Sequence, residues 1–223
     1  MPKIVDHAAR RDEIALVACR VVAQHGFGEA TVVKIAREAG YTTGMIAHYF
    51  DSKQEIILAA LRLILKRMEE RLEARTGGAE LGLLDLLAES LPLDEQRATE
   101  CAFWIGFWGQ VPADKRLKRI NAWVHREYMR LYERCFASHW PEWGSWPPAV
   151  REQVLGAITT FINGLTPSAV LSPAEWPAGR LLGQLALQLT LWRAWAAEAA
   201  RTGGGAGEAR IARRPGRTRV PAG

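Results

Sequence analysis

The 223-residue chain lacks the residue patterns on which most catalysis and metal binding depend. Its three cysteines, Cys19, Cys101 and Cys135, are far apart and odd in number, so they predict neither a metal site nor a disulfide framework. The sequence also has no glycine-rich phosphate loop, no nucleophile elbow and no Glu-x-x-His pair that could hold iron in a helical bundle. We therefore expect a protein that is not an enzyme, that uses no cofactor or metal, and whose thiols stay reduced in the cytoplasm.

Signals for export and membrane insertion are missing as well. The first residues, MPKIVDHAARRDE, are polar and lack the apolar segment of a signal peptide. We expect no apolar run to reach the ~18 uncharged residues that a membrane-spanning helix needs. The sequence therefore predicts no membrane partner.

Alternation of apolar and polar residues, which is typical of half-buried strands, is absent, whereas apolar residues at helical spacing are frequent. Residues 1–8 are expected to form a loose arm. The first helical stripe contains Ile14, Val17, Ala18, Val21 and Val22, and we expect its helix to end near Gln24. Further helices are predicted at about Lys53–Arg75, Glu80–Leu91, Asp94–Gln110, Asp114–Trp140, Ala149–Leu171 and Ala178–Arg201. The segment PEWGSWPP, from Pro141 to Pro148, is predicted to be a loop. The predicted fold is all-α, with a three-helix unit at 1–53, a larger helical domain at 54–202, and about nine helices in all.

The net charge of +5 arises mainly near the C-terminus. Residues 203–223 contain five arginines and one glutamate, a balance of +4, and their glycine, arginine and proline content predicts a disordered tail. Residues 1–53 contain seven basic and six acidic side chains, a balance of +1. The basic composition is therefore weak evidence for a DNA-binding face, and the positions of individual side chains are more informative.

The stretch from Thr31 to Phe50 is expected to form two short helices joined by a tight turn. Their apolar faces consist of Val32, Ile35, Ala36 and Ala39 in the first helix, and Ile46, Tyr49 and Phe50 in the second. Thr31 can cap the first helix, Gly40 can adopt the left-handed conformation that ends it, and Thr42 or Thr43 can cap the second. Such a pair is a helix-turn-helix, whose second helix fits the DNA major groove, although the pattern also suits an ordinary helical hairpin.

The same stretch resembles the DNA-binding region of the TetR family of transcriptional repressors, over about residues 10–57. The resemblance rests on Thr31, Ile35-Ala36, Ala39-Gly40, Gly44, Tyr49-Phe50 and Lys53. Ala47 departs from the pattern, because many members have a phosphate-binding tyrosine at that position. The string TGMIAHYF instead resembles the choline-responsive BetI subgroup of the family, which has a small residue there followed by HYF.

The resemblance implies that some residues contact phosphates, which positions the protein, and that others contact bases, which gives specificity. The implied phosphate contacts are Thr31, Tyr49 and Lys53, with core packing as the alternative for Tyr49. The residues implied to face bases are Thr42, Thr43, Gly44, Met45 and His48. Lys34 is also placed to approach phosphates, and Lys3 and Arg10 are expected either to reach the backbone or an adjacent groove or to remain solvated.

TetR-family members are homodimers in which the last two large helices pair with those of a second copy. In this sequence those helices are Ala149–Leu171 and Ala178–Arg201. Small residues that would let helices approach closely form a row on the first of them: Gly156, Ala157, Thr160 and Gly164. The resemblance therefore implies a homodimer with a roughly palindromic operator, whereas packing within one chain is the alternative explanation of the row.

An aromatic segment is the best indication of a ligand. Trp104 and Trp108 are four residues apart on one helical face, and Phe107 lies beside them. The segments FWIGFW and FINGLTPSAVLS resemble parts of the BetI subgroup, which implies choline as the effector. Aromatic faces suit a quaternary ammonium, which cannot donate a hydrogen bond, and Glu100 could supply a countercharge. The alternatives are a plain aromatic core for the tryptophans and a solvated acid for Glu100.

Together these features predict a homodimeric repressor that binds double-stranded operator DNA and is released by a small effector. The candidate effector is choline or another quaternary ammonium compound, and the candidate process is glycine betaine synthesis or transport. One alternative is a family member that senses a different lipophilic or cationic molecule and controls efflux or catabolic genes. The other is a helical protein–protein adaptor without DNA binding.

Overall fold

The computed structural model describes residues 6–76 and 82–202, and in these residues it contains nine α-helices and no strand. The helices are α1 (His7–Glu29), α2 (Val32–Glu38), α3 (Thr43–Tyr49), α4 (Lys53–Thr76), α5 (Leu83–Ala88), α6 (Glu95–Trp108), α7 (Lys115–His139), α8 (Pro148–Leu171) and α9 (Ala178–Arg201). The predicted all-α fold is confirmed. Lys3 and the tail predicted at 203–223 lie outside the described residues.

The limits of α2 and α3 follow from local chemistry. Thr31 Oγ1 and Thr42 Oγ1 each accept a hydrogen bond of 3.1 Å from an amide in the first turn of the helix that follows. Thr42, rather than Thr43, is therefore the cap of α3. Gly40 has a φ of 72°, a left-handed conformation that ends α2. A residue with a Cβ atom would be strained in this conformation. The predicted helix-turn-helix is present.

The helix α1 packs with α2 and α3 to form a three-helix unit, which we refer to as the DNA-binding unit. Asp6 caps it by accepting hydrogen bonds from two amides at 3.0 and 3.1 Å, so the helix begins within the segment expected to be a loose arm. Gly26 interrupts the helix with a φ of 81°, close to the predicted end. Cys19 is buried although it lies off the apolar stripe, because α1 packs against both α4 and α6 and so buries a wider surface.

The helix α4 connects the helix-turn-helix to the rest of the molecule. Ser52 Oγ accepts a hydrogen bond from the Glu55 amide at 3.3 Å, and the Glu55 carboxylate accepts one from the Asp51 amide at 3.0 Å. These two reciprocal bonds fix the first turn of α4. Its 24 residues span roughly 36 Å along the helix axis, so α4 extends well beyond the DNA-binding unit.

The core consists of two clusters of buried side chains, and their boundary does not coincide with the predicted division after residue 53. The first cluster joins α1, α2 and α3 to α4 as far as Leu65, and it includes Phe103, Trp104 and Phe107 of α6. The second cluster is formed by the end of α4 together with α5, α7, α8 and α9. The helix α6 therefore packs directly on the DNA-binding unit.

The crossing of α6 and α1 depends on one glycine. A Cβ atom at Gly106 would lie 2.9 Å from Cγ1 of Val22, which is closer than carbon atoms normally approach. Val22 is buried and β-branched, so its side chain has little freedom to move away. Gly106 thus sets how closely α6 lies against α1.

The proline-rich connection between α7 and α8, which was expected to be a loop, is packed into the core. Trp143 is 2% exposed, and its ring stacks on that of Phe136 with a centroid distance of 4.9 Å and an interplanar angle of 12°. Trp140 and Trp146 are also buried. These four rings anchor the connection and thereby fix where α8 begins.

The helix α8 contradicts the expectation about apolar runs. It contains an 18-residue window with a mean hydropathy of 1.5, so by length and composition it could cross a membrane. No charged residue lies between Gln153 and Leu171. The helix contributes Val150, Val154, Leu155, Ile158, Ile162, Leu165 and Ala169 to the second core cluster. A core helix that is apolar over most of its surface has the same length and hydropathy, so these two properties do not distinguish it from a membrane-spanning helix.

Candidate DNA-binding face and effector cavity

The helix α3 exposes a polar face and buries the opposite one, as a recognition helix requires. Four of the five residues predicted to face bases are exposed: Thr42, Thr43, Gly44 and His48. Met45 is half-buried and packs against the first core cluster, so part of its surface is used within the protein. Ile46 is 0% exposed and anchors the helix from behind.

Two of the residues predicted to approach phosphates lie at the start of α2. Thr31 is exposed, and although its oxygen accepts the capping hydrogen bond, its hydroxyl proton can be donated to a phosphate. Lys34 is half-buried one turn later. Their contacts with DNA stay predictions, and their positions at the beginning of one helix are compatible with them.

Lys53 is attached to its own protein. Its Nζ donates a hydrogen bond to the Phe27 carbonyl oxygen at 2.7 Å and lies 4.3 Å from the centroid of the Phe27 ring. Burial lowers the pKa of this ammonium group. Since an ammonium has three donors, it can still donate to a phosphate, and that contact stays a prediction.

Tyr49 and Arg10 also contact other parts of the protein. Tyr49 is 7% exposed and its ring centroid lies 4.4 Å from that of His7, which agrees with the alternative of core packing, and its phosphate contact stays a prediction. Arg10 donates to the Glu13 carboxylate at 2.7 Å and to the Tyr41 hydroxyl. To bind DNA, Arg10 would have to exchange these partners for a phosphate.

His7 belongs to this face, and sequence reasoning did not identify it. It is exposed at the first position of α1, and its ring lies 5.9 Å from the exposed ring of His48 on α3. The sequence contains no signal for this proximity, because His7 lies in the segment expected to be a loose arm. Only the packing of α1 against α3 brings the two histidines together.

A cavity of about 370 Å³ lies between α6, α7 and α8, within the range of ~300–1,000 Å³ that is typical of small-molecule sites. From α6 it is lined by Trp104 and Trp108, as predicted for the effector site, and by Cys101. Burial raises the pKa of the Cys101 thiol to about 12, so this thiol remains protonated. Within residues 6–76 and 82–202, no group of three or more His, Cys, Asp or Glu side chains is arranged to hold a metal ion.

Four aromatic rings form a continuous row along the cavity. The centroid distances are 5.6 Å from Trp108 to Trp104, 5.7 Å from Trp104 to Tyr128, and 5.9 Å from Tyr128 to Tyr132. Burial raises the pKa of both tyrosine hydroxyls, so they remain neutral. We refer to these four residues as the aromatic row. Their ring faces offer several adjacent surfaces to which a cation is attracted.

Phe107 and Glu100, which were predicted to bind the effector, do not line the cavity. Phe107 is 0% exposed within the first core cluster. The Glu100 carboxylate accepts hydrogen bonds from Arg71 at 3.0 and 3.3 Å and from Gln96 at 3.1 Å. Glu100 is 7% exposed and its charge is matched by Arg71, so it is neither the predicted countercharge nor the solvated acid of the alternative.

The pair of Arg71 and Glu100 belongs to a buried network behind the cavity wall. The fully buried carboxylate of Glu89 is 2.8 Å from the Arg71 guanidinium and 3.1 Å from that of Arg97. The network joins α4, α5 and α6. Removing one partner would leave a buried charge uncompensated, so the network holds α6 in a fixed position relative to α4.

Most of the lining residues were missed, although their spacing is helical. On α7 they are Asn121, Val124, His125, Tyr128 and Tyr132, which follow i, i+3, i+4, i+7 and i+11. On α8 they are Thr159, Ile162, Asn163 and Thr166, which follow i, i+3, i+4 and i+7. A search for mixed polar and apolar stripes at helical spacing, rather than for tryptophans alone, would have found both faces.

The row of small residues on α8 faces outward. No heavy atom of the described chain lies within 4 Å of a Cβ built at Gly156 or Gly164, and Thr160 is exposed. The neighbouring helix α9 exposes Leu187, Leu191 and Trp195 by 51%, 52% and 45%. Within the described residues nothing covers this surface, so packing inside one chain does not explain the row.

Two protein-family models match the chain. The model of the tetR family of bacterial regulatory proteins matches residues 14–60, which include the helix-turn-helix. The model of the C-terminal domain of BetI-type transcriptional repressors matches residues 80–191, half of the chain, which include the cavity. The chain therefore belongs to the TetR family of transcriptional regulators and has a BetI-type C-terminal domain. This family consists of regulators rather than enzymes.

Individual relatives agree with this assignment. The BetI regulator of Pseudomonas aeruginosa is 32% identical over 139 residues, which are 59% of this chain and 70% of that protein. The PksA regulator of Bacillus subtilis is 32% identical over 110 residues, which are 48% of this chain, and the chain spans only 54% of its length.

Solved structures show the same fold. A transcriptional regulator from Rhodococcus has a TM-score of 0.67 at 24% identity, covering 83% of this chain and 97% of that one. A regulator from Saccharomonospora viridis in complex with choline has a TM-score of 0.65 at 19% identity, covering 79% and 93%. At these identities the likeness concerns the fold alone.

Proposed function

We propose that the protein is a repressor that binds operator DNA through α3 and releases it when a small effector occupies the cavity. The observation that carries this proposal is the exposed polar face of α3, held in place by the buried Ile46. Membership of the TetR family supports the assignment of that face to the major groove. The protein would therefore act where the DNA is, in the cytoplasm.

The proposed effector is a quaternary ammonium compound, for which choline is a first candidate. The support comes from the aromatic row, since each cation–π contact contributes roughly 0.5–2 kcal/mol. The BetI-type match over the cavity region and the choline found in the structural neighbour from Saccharomonospora viridis point in the same direction.

The proposed assembly is a homodimer formed through α8 and α9. The exposed apolar side chains of α9 and the uncovered glycines of α8 lie on adjacent helices and would be buried by a second copy. A two-fold dimer presents two copies of α3, which explains why the proposed operator is roughly palindromic.

Release of DNA is proposed to pass through α6, which lines the cavity and also packs on α1. An effector that prefers a different position of α6 would shift the equilibrium between a DNA-binding and a non-binding arrangement. The size of that shift is limited by the difference between the effector's affinities for the two arrangements.

The experiment is fluorescence anisotropy with a labelled duplex from the promoter of the chain's own gene and a scrambled duplex of equal length as control. We expect specific binding at low salt, and weaker binding when choline is added at millimolar concentration. Equal binding to both duplexes would contradict the repressor and favour the adaptor. Specific binding that choline leaves unchanged would assign the cavity to a different lipophilic or cationic molecule.

A further inference from the structure

The lining of the cavity carries almost no charge. Among the described residues that line it there is no Asp, Glu, Lys or Arg, and His125 is the one histidine. The nearest buried acid, Glu100, is hydrogen-bonded to Arg71. In that network the carboxylates of Glu89 and Glu100 face the guanidinium groups of Arg71 and Arg97, and Arg97 also pairs with Asp94, so each of these charges has a partner of opposite sign.

A ligand with a net charge is poorly matched to such a lining. Moving an unpaired charge out of water is costly, and aromatic faces replace only part of the lost hydration of an ammonium group. Choline would also leave much of the cavity empty, because a volume of about 370 Å³ suits a larger molecule. A ligand that contains its own negative group avoids the net charge and fills more of the space.

The lining places hydrogen-bond donors where such a negative group could lie. His125 and Asn163 are exposed, and Asn121 is half-buried, so these three polar side chains are at the open end of the cavity. Cys101, Tyr132 and Thr166 are buried and mark the closed end. A carboxylate at the open end could accept hydrogen bonds from the side chains and keep contact with water, which makes its burial inexpensive.

The helix α7 sets the distance between the aromatic rings that would contact a cationic group and the polar side chains that would bind a negative group. Along α7, His125 precedes Tyr128 by three residues and Asn121 precedes it by seven, so the polar positions lie between ~4.5 and ~10 Å from Tyr128 along the axis. All three residues lie on the same face of α7. A ligand that reaches both needs a spacer of several bonds between its cationic and anionic groups.

We propose that the effector is a zwitterion, a trimethylammonium carboxylate whose cationic group lies on the aromatic row and whose carboxylate binds Asn121 and His125 at the open end. This inference rests on the proposed function in so far as the cavity is the effector site. It narrows the ligand class from quaternary ammonium compounds in general to those without net charge.

The first test compares ligands by isothermal titration calorimetry on the full chain. The probes are L-carnitine, choline and 3,3-dimethylbutanol, the uncharged isostere of choline. We expect L-carnitine to bind at least about tenfold more tightly than choline, since hydrogen bonds to a charged group contribute that much. Choline affinity equal to or above that of L-carnitine would overturn the inference but leave the proposed function intact. Absence of binding by all three would overturn the inference and the quaternary ammonium part of the proposed function.

The second test uses His125→Leu, with His25→Leu as the matched control, because His25 is an exposed histidine of α1 outside the cavity. We expect His125→Leu to weaken L-carnitine about tenfold and to change choline by no more than about twofold. Asn121→Leu should act in the same direction, and His25→Leu should change neither ligand. An equal loss of both ligands in His125→Leu and Asn121→Leu would show that the open end does not bind the carboxylate.

Discussion

The ammonium group of Lys53 already has an internal partner before any DNA is bound. It donates to the Phe27 carbonyl, and its burial lowers the pKa of the group, so the fold restricts where it can move. A phosphate beside the ammonium group would favour its charged form and raise its pKa again. The predicted phosphate contact at the start of α4 would therefore use a side chain that the fold already holds.

Lys53→Ala is expected to weaken binding to specific and scrambled duplexes alike, because phosphate contacts carry no sequence information. The log–log salt dependence should become shallower by about one unit for the lost contact. Anisotropy titrations at several salt concentrations measure both quantities.

The control for Lys53 is Lys66→Ala, which lies ~20 Å further along α4 and forms ion pairs with Asp12 and Glu70. This variant should leave the salt slope unchanged. If Lys53→Ala lowers the melting temperature but not the slope, the side chain is a structural tie only.

His48→Ala is expected to change sequence discrimination and leave the salt dependence unchanged, the reverse of Lys53→Ala. Its ring is exposed on α3 and can donate to or accept from a base edge, so its loss should relax discrimination at particular base pairs. Each such contact contributes about 1–3 kcal/mol of discrimination, whereas the salt slope should not change. Competition titrations with single-base operator variants measure the effect, and uniform weakening across all variants would contradict it.

Some residue roles could not be predicted from sequence because they depend on distant neighbours. The ring of Tyr49 is covered by His7, which comes 42 positions earlier, and the charge of Glu100 is matched by Arg71, 29 positions earlier. Local spacing contains no information on such contacts. The exposed residues of α3 were predictable, because the apolar side of a short amphipathic helix leaves one face for DNA.

At the scale of elements, α6 is the helix with two functions. One face lines the cavity with Cys101, Trp104 and Trp108, and Gly106 lies against α1. A movement of α6 caused by an effector would therefore reach the DNA-binding unit without an intermediate element. Coupling of this kind is reciprocal, so a change that favours the non-binding arrangement must also favour the effector.

Gly106→Ala tests this coupling. The added methyl group would meet Val22 at 2.9 Å and push α6 away from α1, at a cost of about 1 kcal/mol, near the lower end for overpacking. We expect weaker operator binding together with tighter effector binding, measured by anisotropy and calorimetry on the same preparation.

The matched control is Gly109→Ala at the end of the same helix, where the nearest atom to an added Cβ is a carbonyl oxygen at 3.6 Å. That variant should bind DNA and effector as the wild type does. If Gly106→Ala bound both the operator and the effector more weakly, the result would indicate a general loss of structure rather than coupling.

The connection between α7 and α8 is tied to α9 by an ion pair whose contribution depends on pH. Arg193 donates to both oxygens of Glu142 at 2.5 and 3.1 Å, which holds the pKa of that carboxyl below its ordinary value of 4.5. A carboxyl with a lowered pKa stabilises the fold above its ordinary pKa, and this stabilisation is lost as the pH falls through the lowered value.

Arg193→Leu should therefore lower the melting temperature near neutral pH, and the difference from the wild type should shrink below pH 4.5. Arg180→Leu is the control, because Arg180 lies over the ring of Trp176, as Arg193 lies over that of Trp140, but donates to a backbone carbonyl instead of a carboxylate. Thermal unfolding followed by circular dichroism between pH 3 and pH 7 gives both differences. A difference for Arg193→Leu that is constant over this range would contradict the role of the ion pair.

Helices were predictable as elements, whereas the surroundings of the connections were not. Asp94, Asp114 and Thr31 accept capping hydrogen bonds where the sequence placed helix starts. The PEWGSWPP segment has the composition of a loop, yet its tryptophans fill a gap beside α7 that only the assembled helices create. Turn residues determine the path of the chain, and tertiary packing determines what that path buries.

At the scale of the molecule, the first core cluster extends across the division expected between the DNA-binding unit and the helical domain. Ile56–Leu65 of α4 and Phe103–Phe107 of α6 contribute to the same cluster as α1. The division at residue 53 follows from the resemblance of the helix-turn-helix, which contains no information on how α6 folds back. The cavity and the DNA-binding face are consequently joined by one continuous set of packed side chains.

One apolar surface of the molecule remains uncovered within the described residues. Leu187, Leu191 and Trp195 are spaced by four residues on α9, and α9 packs against α8, whose Gly156 and Gly164 are also uncovered. Three large apolar side chains about half exposed on one helical face are more than isolated surface residues, and such a stripe marks an interaction site. A second copy related by two-fold symmetry would cover each stripe with the other.

Leu191→Arg is expected to convert the dimer into a monomer. The guanidinium would be buried without a partner in the centre of the stripe, and its desolvation should raise the dimer dissociation constant by at least about 100-fold. Val33→Arg is the matched control, because Val33 is 66% exposed on α2, away from α8 and α9. Sedimentation velocity should show a monomer for Leu191→Arg and a dimer for Val33→Arg. Operator binding should fall with the dimer, since a monomer contacts only one of two half-sites that lie ~34 Å apart. A dimeric Leu191→Arg would place the interface on another surface, whereas a monomer that still binds the full operator tightly would remove the need for a palindrome.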